Sequence, residues 1–309
     1  MIQSEIQKLK QQKNAVILAH YYQTPDIQDI ADYIGDSLEL AQKAKETTAD
    51  IIVFAGVHFM AETAKILNSG KKVLIPDMEA GCSLSDSCNA DELAKAKAAQ
   101  PNRKIIAYAN CSAAVKELVD ITCTSGNAVR IVNSFPAEEK LLFVPDKNLG
   151  GYINRITGRN MDLWDGSCAV HDMLNAENVL RLKQQHPEAA VIAHPECNPA
   201  VLALAEFIGS TSAMLRYIQT DNKQNYIVAT ETGIVHQMKK AAPYKTFYIV
   251  STDETCACND CPYMKKNTLE KILKCLHDEA PEITLTSAII QNARKPIEAM
   301  LAIAPPVIK

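Results

Sequence analysis

The sequence predicts an α/β fold of three repeated small αβα domains, with parallel sheets arranged about a pseudo-threefold axis. Two observations carry that prediction. The segment Val16-Ile17-Leu18-Ala19-His20-Tyr21-Tyr22 recurs in kind 88 residues later as Ile105-Ile106-Ala107-Tyr108-Ala109-Asn110, and a further 86 residues later as Val191-Ile192-Ala193-His194-Pro195-Glu196. The register then holds without insertion, so that Asp32 matches Asp120 and Glu206, and Ser37 matches Ser125 and Thr211. Self-similarity at a fixed period marks a chain built from one repeated unit. Within each repeat, β-branched runs also alternate with helical patterns, as parallel sheets with right-handed crossovers require.

The repeats fall at residues 1–86, 87–172 and 173–262, with C-terminal helices over 263–309. In the first, strands are expected at 16–22, 51–57 and 73–77, and helices at 27–47, in one or two pieces, and 60–67. In the second, strand patterns cover 104–110, 128–134 and 141–146, and in the third 190–196, 226–231 and 246–251. Ile75-Pro76-Asp77 and Val144-Pro145-Asp146 end two of these runs alike, and Gly150-Gly151 reads as a turn. The tail reads as helices at 268–277 and 287–301, with Pro296 starting or kinking a turn.

Composition excludes several classes. A chain of 309 residues with 47% apolar and 22% charged residues buries ordinary globular cores. The formal charge of −4 leaves no basic surface suited to a nucleic-acid backbone. No apolar run reaches membrane-spanning length, and residues 1–14 lack the apolar segment of a secretory leader, so a cytoplasmic protein without membrane or nucleic-acid partners is expected. Ten cysteines in such a compartment favour metal binding or catalysis over a disulfide framework.

Three constellations carry chemistry. Each repeat ends near a cysteine-bearing loop: Gly81-Cys82, Gly166-Ser167-Cys168 and Cys256-Ala257-Cys258-Asn259-Asp260-Cys261. Cys82 and Cys168 are 86 residues apart, the repeat length itself, so one thiolate from each repeat is expected at a shared centre. Three thiolates can hold three corners of a [4Fe-4S] cluster and leave one iron open as a Lewis acid. In the third repeat the period points to Cys256, whereas Cys258 and Cys261 form the tight C-x-x-C spacing of a zinc or redox site.

The second constellation lies at the strand ends. His20, Tyr108 and His194 are equivalent, as are Tyr22, Asn110 and Glu196. Together they offer two imidazoles, two phenols, an amide and a carboxylate, a set able to move protons and orient carbonyls. The third comprises Asp36-Ser37, Thr124-Ser125 and Ser210-Thr211, each before an apolar-periodic helix beginning near Leu38, Ala128 or Met214. Residue 128 onward therefore carries both a strand and a helix pattern. Hydroxyls and free N–H groups at helix starts can hold phosphate or carboxylate, or merely cap the helix. Glu231-Thr232-Gly233 could serve a site or a cap, and His58 and Glu62 read as structural. No dinucleotide, P-loop or zincin fingerprint is present.

Over nearly its whole length the chain resembles the quinolinate synthase family, the iron–sulfur enzymes of NAD biosynthesis. The resemblance rests on Ala19-His20-Tyr21-Tyr22, Gly35-Asp36-Ser37-Leu38, Gly56-Val57-His58-Phe59-Met60-Ala61-Glu62, Cys82-Ser83-Leu84, Thr124-Ser125-Gly126-Asn127, His194-Pro195-Glu196-Cys197, Gly209-Ser210-Thr211 and Cys261-Pro262-Tyr263-Met264. It implies condensation of iminoaspartate with dihydroxyacetone phosphate to quinolinate on a [4Fe-4S] cluster, and a functional link to an aspartate-oxidising enzyme. It further implies Cys82, Cys168 and Cys261 as ligands, with Cys256 and Cys258 able to form a disulfide or to compete. On the same ground Glu196 is the expected general base and Tyr22, His20 and His194 handle protons. Tyr108, Asn110 and His194 orient carboxylates, and Asp36, Ser37, Ser125, Ser210 and Thr211 bind anionic groups. Another open-cluster hydro-lyase and a non-catalytic iron–sulfur sensor are the alternatives.

Overall fold

The computed structural model describes residues 2–251 and 259–303. It contains three four-stranded, wholly parallel sheets flanked by helices, one per sequence repeat. The first holds β1 (Ala15–His20), β2 (Tyr33–Gly35), β3 (Ile51–Ala55) and β4 (Lys72–Leu74). The second holds β5 (Lys104–Tyr108), β6 (Ile121–Cys123), β7 (Leu141–Val144) and β8 (Asp162–Leu163), and the third β9 (Ala190–Ala193), β10 (Phe207–Ile208), β11 (Asn225–Ala229) and β12 (Thr246–Ile249). In each sheet the first strand lies between the second and the third, with the fourth at the far edge.

The repeat survives at the level of register. Leu18 pairs with Tyr33, Ile106 with Ile121 and Ile192 with Phe207, all at the same offsets. The matched acids explain part of this. The backbone N–H groups of Asp32, Asp120 and Glu206 donate to the carbonyls of Ile17, Ile105 and Val191. In the first two repeats the acid's carboxylate also accepts from the same first-strand residue, Ile17 N at 2.7 Å and Ile105 N at 2.9 Å, closing a two-way link between strands. Glu206 has one more methylene, and its carboxylate pairs with Lys183 and Lys223 instead.

Several sequence expectations are corrected. The second strand of every sheet is only two or three residues long and carries no period, so none was expected, and β8 was missed for the same reason. The helical stretch 27–47 takes the two-piece form that is one of its expectations, with β2 between helices Pro25–Ile30 and Ser37–Glu46. The strand expected at 128–134 is the helix Ala128–Asn133, which buries Ala128, Ile131 and Val132 at i, i+3 and i+4. The two Pro-Asp sequences are not equivalent, because one follows β4, at a sheet edge, and the other β7, a third strand. Gly150 and Gly151 lie inside helix Lys147–Thr157. A Cβ on Gly150 would stand 2.6 Å from Leu163 Cδ2 and 2.9 Å from Phe143 Cδ1, so the glycine lets the helix sit directly on β7 and β8.

The tail forms helices Leu269–Asp278 and Ser287–Ile303, the latter running through Pro296. The first buries Leu269, Ile272 and Leu276 against Ile6, Ile17 and Val53 of the first unit. The second buries Ala293, Ile297 and Met300 with Ile106, Ile121 and Phe143 of the second unit. A direct tie between units comes from Glu62, whose carboxylate accepts from Ala113 N at 2.8 Å. This bears out the structural reading of Glu62, while His58 Nδ1 stands 3.7 Å from the same side chain.

The two acid links differ in one respect that can be measured. The ammonium of Lys10, 6% exposed, rests 2.7 Å from Asp32, whereas the Asp120 partner Lys104 is 48% exposed. Asp32→Ala leaves an amide without an acceptor and a buried ammonium without its counter-charge, holding only Gln7 Oε1 and the Ile30 carbonyl, and is expected to cost about 2 kcal/mol or more, against about 1 kcal/mol for Asp120→Ala. Urea unfolding of the two variants checks this, and equal losses would contradict the account.

Candidate active site

In parallel sheets ligands gather beyond the carboxyl ends of strands. Here the carboxyl ends of three sheets meet on one cavity. The segment at or after the end of every strand except β7 supplies a wall residue, those following β4, β8 and β12 lying five or more residues beyond the strand. From the first sheet come His20 and Tyr22, Ser37, Val57 and Cys82, and from the second Tyr108 and Asn110, Ser125 and Cys168. The third supplies His194 and Glu196, Thr211, Glu231 and Cys261. The wall therefore holds every residue expected to be catalytic, substrate-binding or a cluster ligand except Ser210, and the Cys256/Cys258 pair lies outside the described residues.

Local folding explains which members of each pair face the cavity. Asp36 caps helix Ser37–Glu46, its carboxylate accepting from Leu38 N and Glu39 N while Glu39 returns a bond to Asp36 N. Ser210 caps helix Thr211–Thr220 by accepting from Ala213 N at 3.3 Å. Capping thus occupies the first residue of these pairs and leaves the hydroxyls of Ser37 and Thr211 on the wall. Asp36 also borders the cavity, but Ser210 stands behind it. In the second repeat Thr124 N–H donates to Asn127 at 2.7 Å, and Ser125 Oγ lies 3.2 Å from His194 Nε2.

The two equivalent histidines are held alike. Tyr22 N–H donates to His20 Nδ1 at 3.1 Å, and Glu196 N–H to His194 Nδ1 at 3.4 Å. Each ring nitrogen that accepts a backbone proton is unprotonated, so His20 presents Nε2–H as a donor. Burial outweighs the pull of Asp36 and brings the His20 pKa down to about 4, and burial lowers His194 as well.

Glu196 is the charged centre. It is 3% exposed, with Asn110 Nδ2 at 3.4 Å, His171 Nδ1 at 2.9 Å and His194 Nδ1 at 3.3 Å. Burial alone would raise its pKa, but the two imidazoles more than offset that and keep the carboxylate ionised. Its charge and, above all, burial push the phenols of Tyr22 and Tyr108 well above their usual range, so both remain proton donors. The amide oxygen of Asn110 is enclosed and without a partner among the described residues, an acceptor facing a ligand space.

Sequence reasoning missed His171. It is 1% exposed and central: Nδ1 also lies 3.3 Å from Cys168 Sγ, and Nε2 lies 2.9 Å from Thr230 Oγ1, which in turn meets Tyr22 Oη at 2.8 Å. Its spacing in Cys168-Ala169-Val170-His171, one helical turn from a cysteine at an N-cap, was the available signal. Among the described residues, Cys168, His171 and Glu196 place one donor atom each within 4.8 Å of one another. Glu231, left undecided between site and cap, lines the cavity and also accepts from Gly233 N before helix Ile234–Ala241.

The three wall cysteines are free thiols. Burial raises Cys82 to about 12, with the neighbouring Cys261 and Glu196 adding to the effect, and burial likewise raises Cys168 and Cys261.

Three α/β units thus bring one thiol each, together with imidazole, phenol and carboxylate groups, to a single enclosed cavity, which is the construction of an enzyme. The comparisons with known proteins agree. The family described as Quinolinate synthetase A protein matches residues 4–302. The chain is 57% identical over 297 residues to the quinolinate synthase of Thermosynechococcus vestitus, covering 96% of this chain and 93% of that protein. It is 55% identical over 296 residues to the quinolinate synthase of Microcystis aeruginosa, with 96% and 93% covered, and 54% identical over 301 residues to that of Chloroherpeton thalassium, with 97% and 94% covered. The chain belongs to the quinolinate synthetase A family, enzymes of NAD biosynthesis.

The His20 environment predicts a pH dependence. Its folded value of about 4 lies below the ordinary value of 6.5, so the unfolded chain takes up the proton first as pH falls. The contribution is complete above pH 6.5 and is lost toward pH 4, at up to about 1.4 kcal/mol per unit. Urea unfolding of metal-free protein at pH 7 and pH 5 is expected to show this slope, and His20→Gln to flatten it. An unchanged slope in the variant would place the titration elsewhere.

Proposed function

We propose that this chain condenses iminoaspartate with dihydroxyacetone phosphate, releasing phosphate and two waters and leaving quinolinate, with a [4Fe-4S] cluster held by Cys82, Cys168 and Cys261. Support comes from the convergence of one cysteine per repeat on a cavity walled by donors for anionic groups, in a chain of this family. The donor set fits such a group. Buried thiols kept protonated become thiolates only against a cationic partner, and three thiols in one cavity match a cluster that leaves one iron without a protein ligand. When bound, that cluster supplies a Lewis acid to a substrate oxygen or nitrogen.

The chain's own groups divide the remaining work. Ser37 and Thr211, in the first turns of two ten-residue helices, offer hydroxyls and free N–H groups to phosphate or carboxylate oxygens. Ser125, His194 and Nε2–H of His20 add neutral donors, so the site can bind anions although the chain is acidic. Asn110 and Tyr108 face the same space and orient carboxylates, the unpartnered Asn110 oxygen accepting from a substrate N–H or O–H. Glu196, ionised and enclosed, takes protons from carbon as the ring is built, and Tyr22 returns protons to departing oxygens. His171 holds Glu196 in place through Nδ1 and meets Thr230 through Nε2, joining Glu196 to Tyr22 by way of hydrogen bonds. An enzyme that oxidises aspartate would supply the unstable imine.

Iron, sulfide and quinolinate production measured on protein purified without oxygen test the proposal. About four irons and four sulfides per chain are expected, with loss of the cluster on Cys82→Ser, Cys168→Ser or Cys261→Ser. Glu196→Gln is expected to keep its iron and lose about 10²–10⁴ in kcat. Zinc without iron, or wild-type turnover by the Glu196 variant, would overturn the cluster or the base assignment respectively.

A further inference from the structure

Each of the three wall cysteines begins a turn of the chain. Cys82 and Cys168 each stand at the N-cap of a short α-helix, Ser83–Asp86 and Ala169–Asp172. The Cys82 carbonyl accepts from Asp86 N, and the Cys168 carbonyl from both His171 N and Asp172 N. No α-helix begins at Cys261. It precedes a single 3-10 turn, Met264–Lys266, and its carbonyl accepts from the N–H four residues on, Lys265 N at 3.2 Å, as that of Cys82 does.

A buried carboxylate stands behind the turn at Cys261. Glu231 is 0% exposed, and its Oε1 accepts from Cys261 N at 3.1 Å and from Lys265 Nζ at 2.7 Å, while Oε2 accepts from Gly233 N at 2.7 Å. Lys265 Nζ donates in addition to the Tyr22 carbonyl at 2.7 Å. Cys261 is therefore gripped at its N–H by Glu231 and at its carbonyl by the residue that neutralises Glu231. Close packing fixes the grip, since a Cβ on Gly233 would stand 2.7 Å from Tyr21 O and 2.9 Å from Glu231 Oε2. The rest of the loop has its own tie, from Asn259 Nδ2 to the Thr230 carbonyl at 3.1 Å.

We propose that Glu231, neutralised by Lys265, is a positioning residue that holds Cys261 ready to ligate by fixing the backbone N–H of the turn that carries it. The inference rests on the reading of Cys261 as a cluster ligand. Partners behind a metal ligand set its orientation, and their loss typically costs about 10–100-fold in metal affinity. The amide of Glu231→Gln loses the charge that binds Lys265 and turns an N–H group toward either Cys261 N–H or Gly233 N–H.

The test follows iron rather than turnover. Wild type, Glu231→Gln, Lys265→Met, Gln28→Ala and Cys261→Ser are reconstituted without oxygen, and transfer of iron to a ferrous chelator is timed. Gln28 is the control for simple loosening, because its amide donates to the carbonyls of Tyr21, Gln23 and Gly233 at the same junction without touching Cys261. The Glu231 and Lys265 variants are expected to take up iron and release it roughly 10-fold faster or more, with Gln28→Ala retaining it as wild type does. Wild-type retention in Glu231→Gln, or equal acceleration in Gln28→Ala, would overturn the proposal. A full, stable cluster in Cys261→Ser would instead remove Cys261 from the ligand set, a separate failure.

Discussion

One buried charge governs the central cavity. Taking the Glu196 carboxylate out of water is costly unless hydrogen bonds replace its hydration. The replacements come from different parts of the chain, Asn110 past β5 and His171 after β8. His171 is committed in turn to Thr230 and through it to Tyr22, and the neighbouring His194 to Ser125. The polar wall is thus one connected network, and its side chains are fixed before any ligand arrives.

The network also shows how three copies of one unit came to perform different tasks. Equivalent positions hold His20, Tyr108 and His194, and two residues on, Tyr22, Asn110 and Glu196. The backbone keeps the symmetry, as the matching ring-to-backbone bonds of His20 and His194 show. The side chains break it. Only one of the three third-position residues is ionised, and its asymmetry decides where protons can be accepted.

The larger features of the fold were legible in the sequence because burial writes long, regular patterns. The first strand of every repeat and the loops bearing Cys82, Cys168 and Cys261 could be read from a period held over most of the chain. Features decided by tertiary contact could not. Two- and three-residue strands such as Phe207–Ile208 leave no alternation to detect, and β-branched residues in Ala128–Asn133 mask a helix whose buried face is set by its neighbours. Gly150-Gly151 looks like a turn until a helix is seen resting on Phe143 and Leu163. His171 stayed hidden because its importance lies in contacts with Thr230 and Glu196, distant in sequence, although the cysteine three residues before it was a clue.

The helix Ser287–Ile303 completes the hydrophobic core around Ile106, Ile121 and Phe143 although the entire third unit separates them in the chain. The second unit therefore cannot finish folding as it leaves the ribosome, and must wait until the third has been synthesised. Until that helix docks, the wall carrying Tyr108, Asn110 and Cys168 rests on an incomplete interior. Assembly of the cavity wall is thereby coupled to the docking of a helix that the chain supplies after all three sheets.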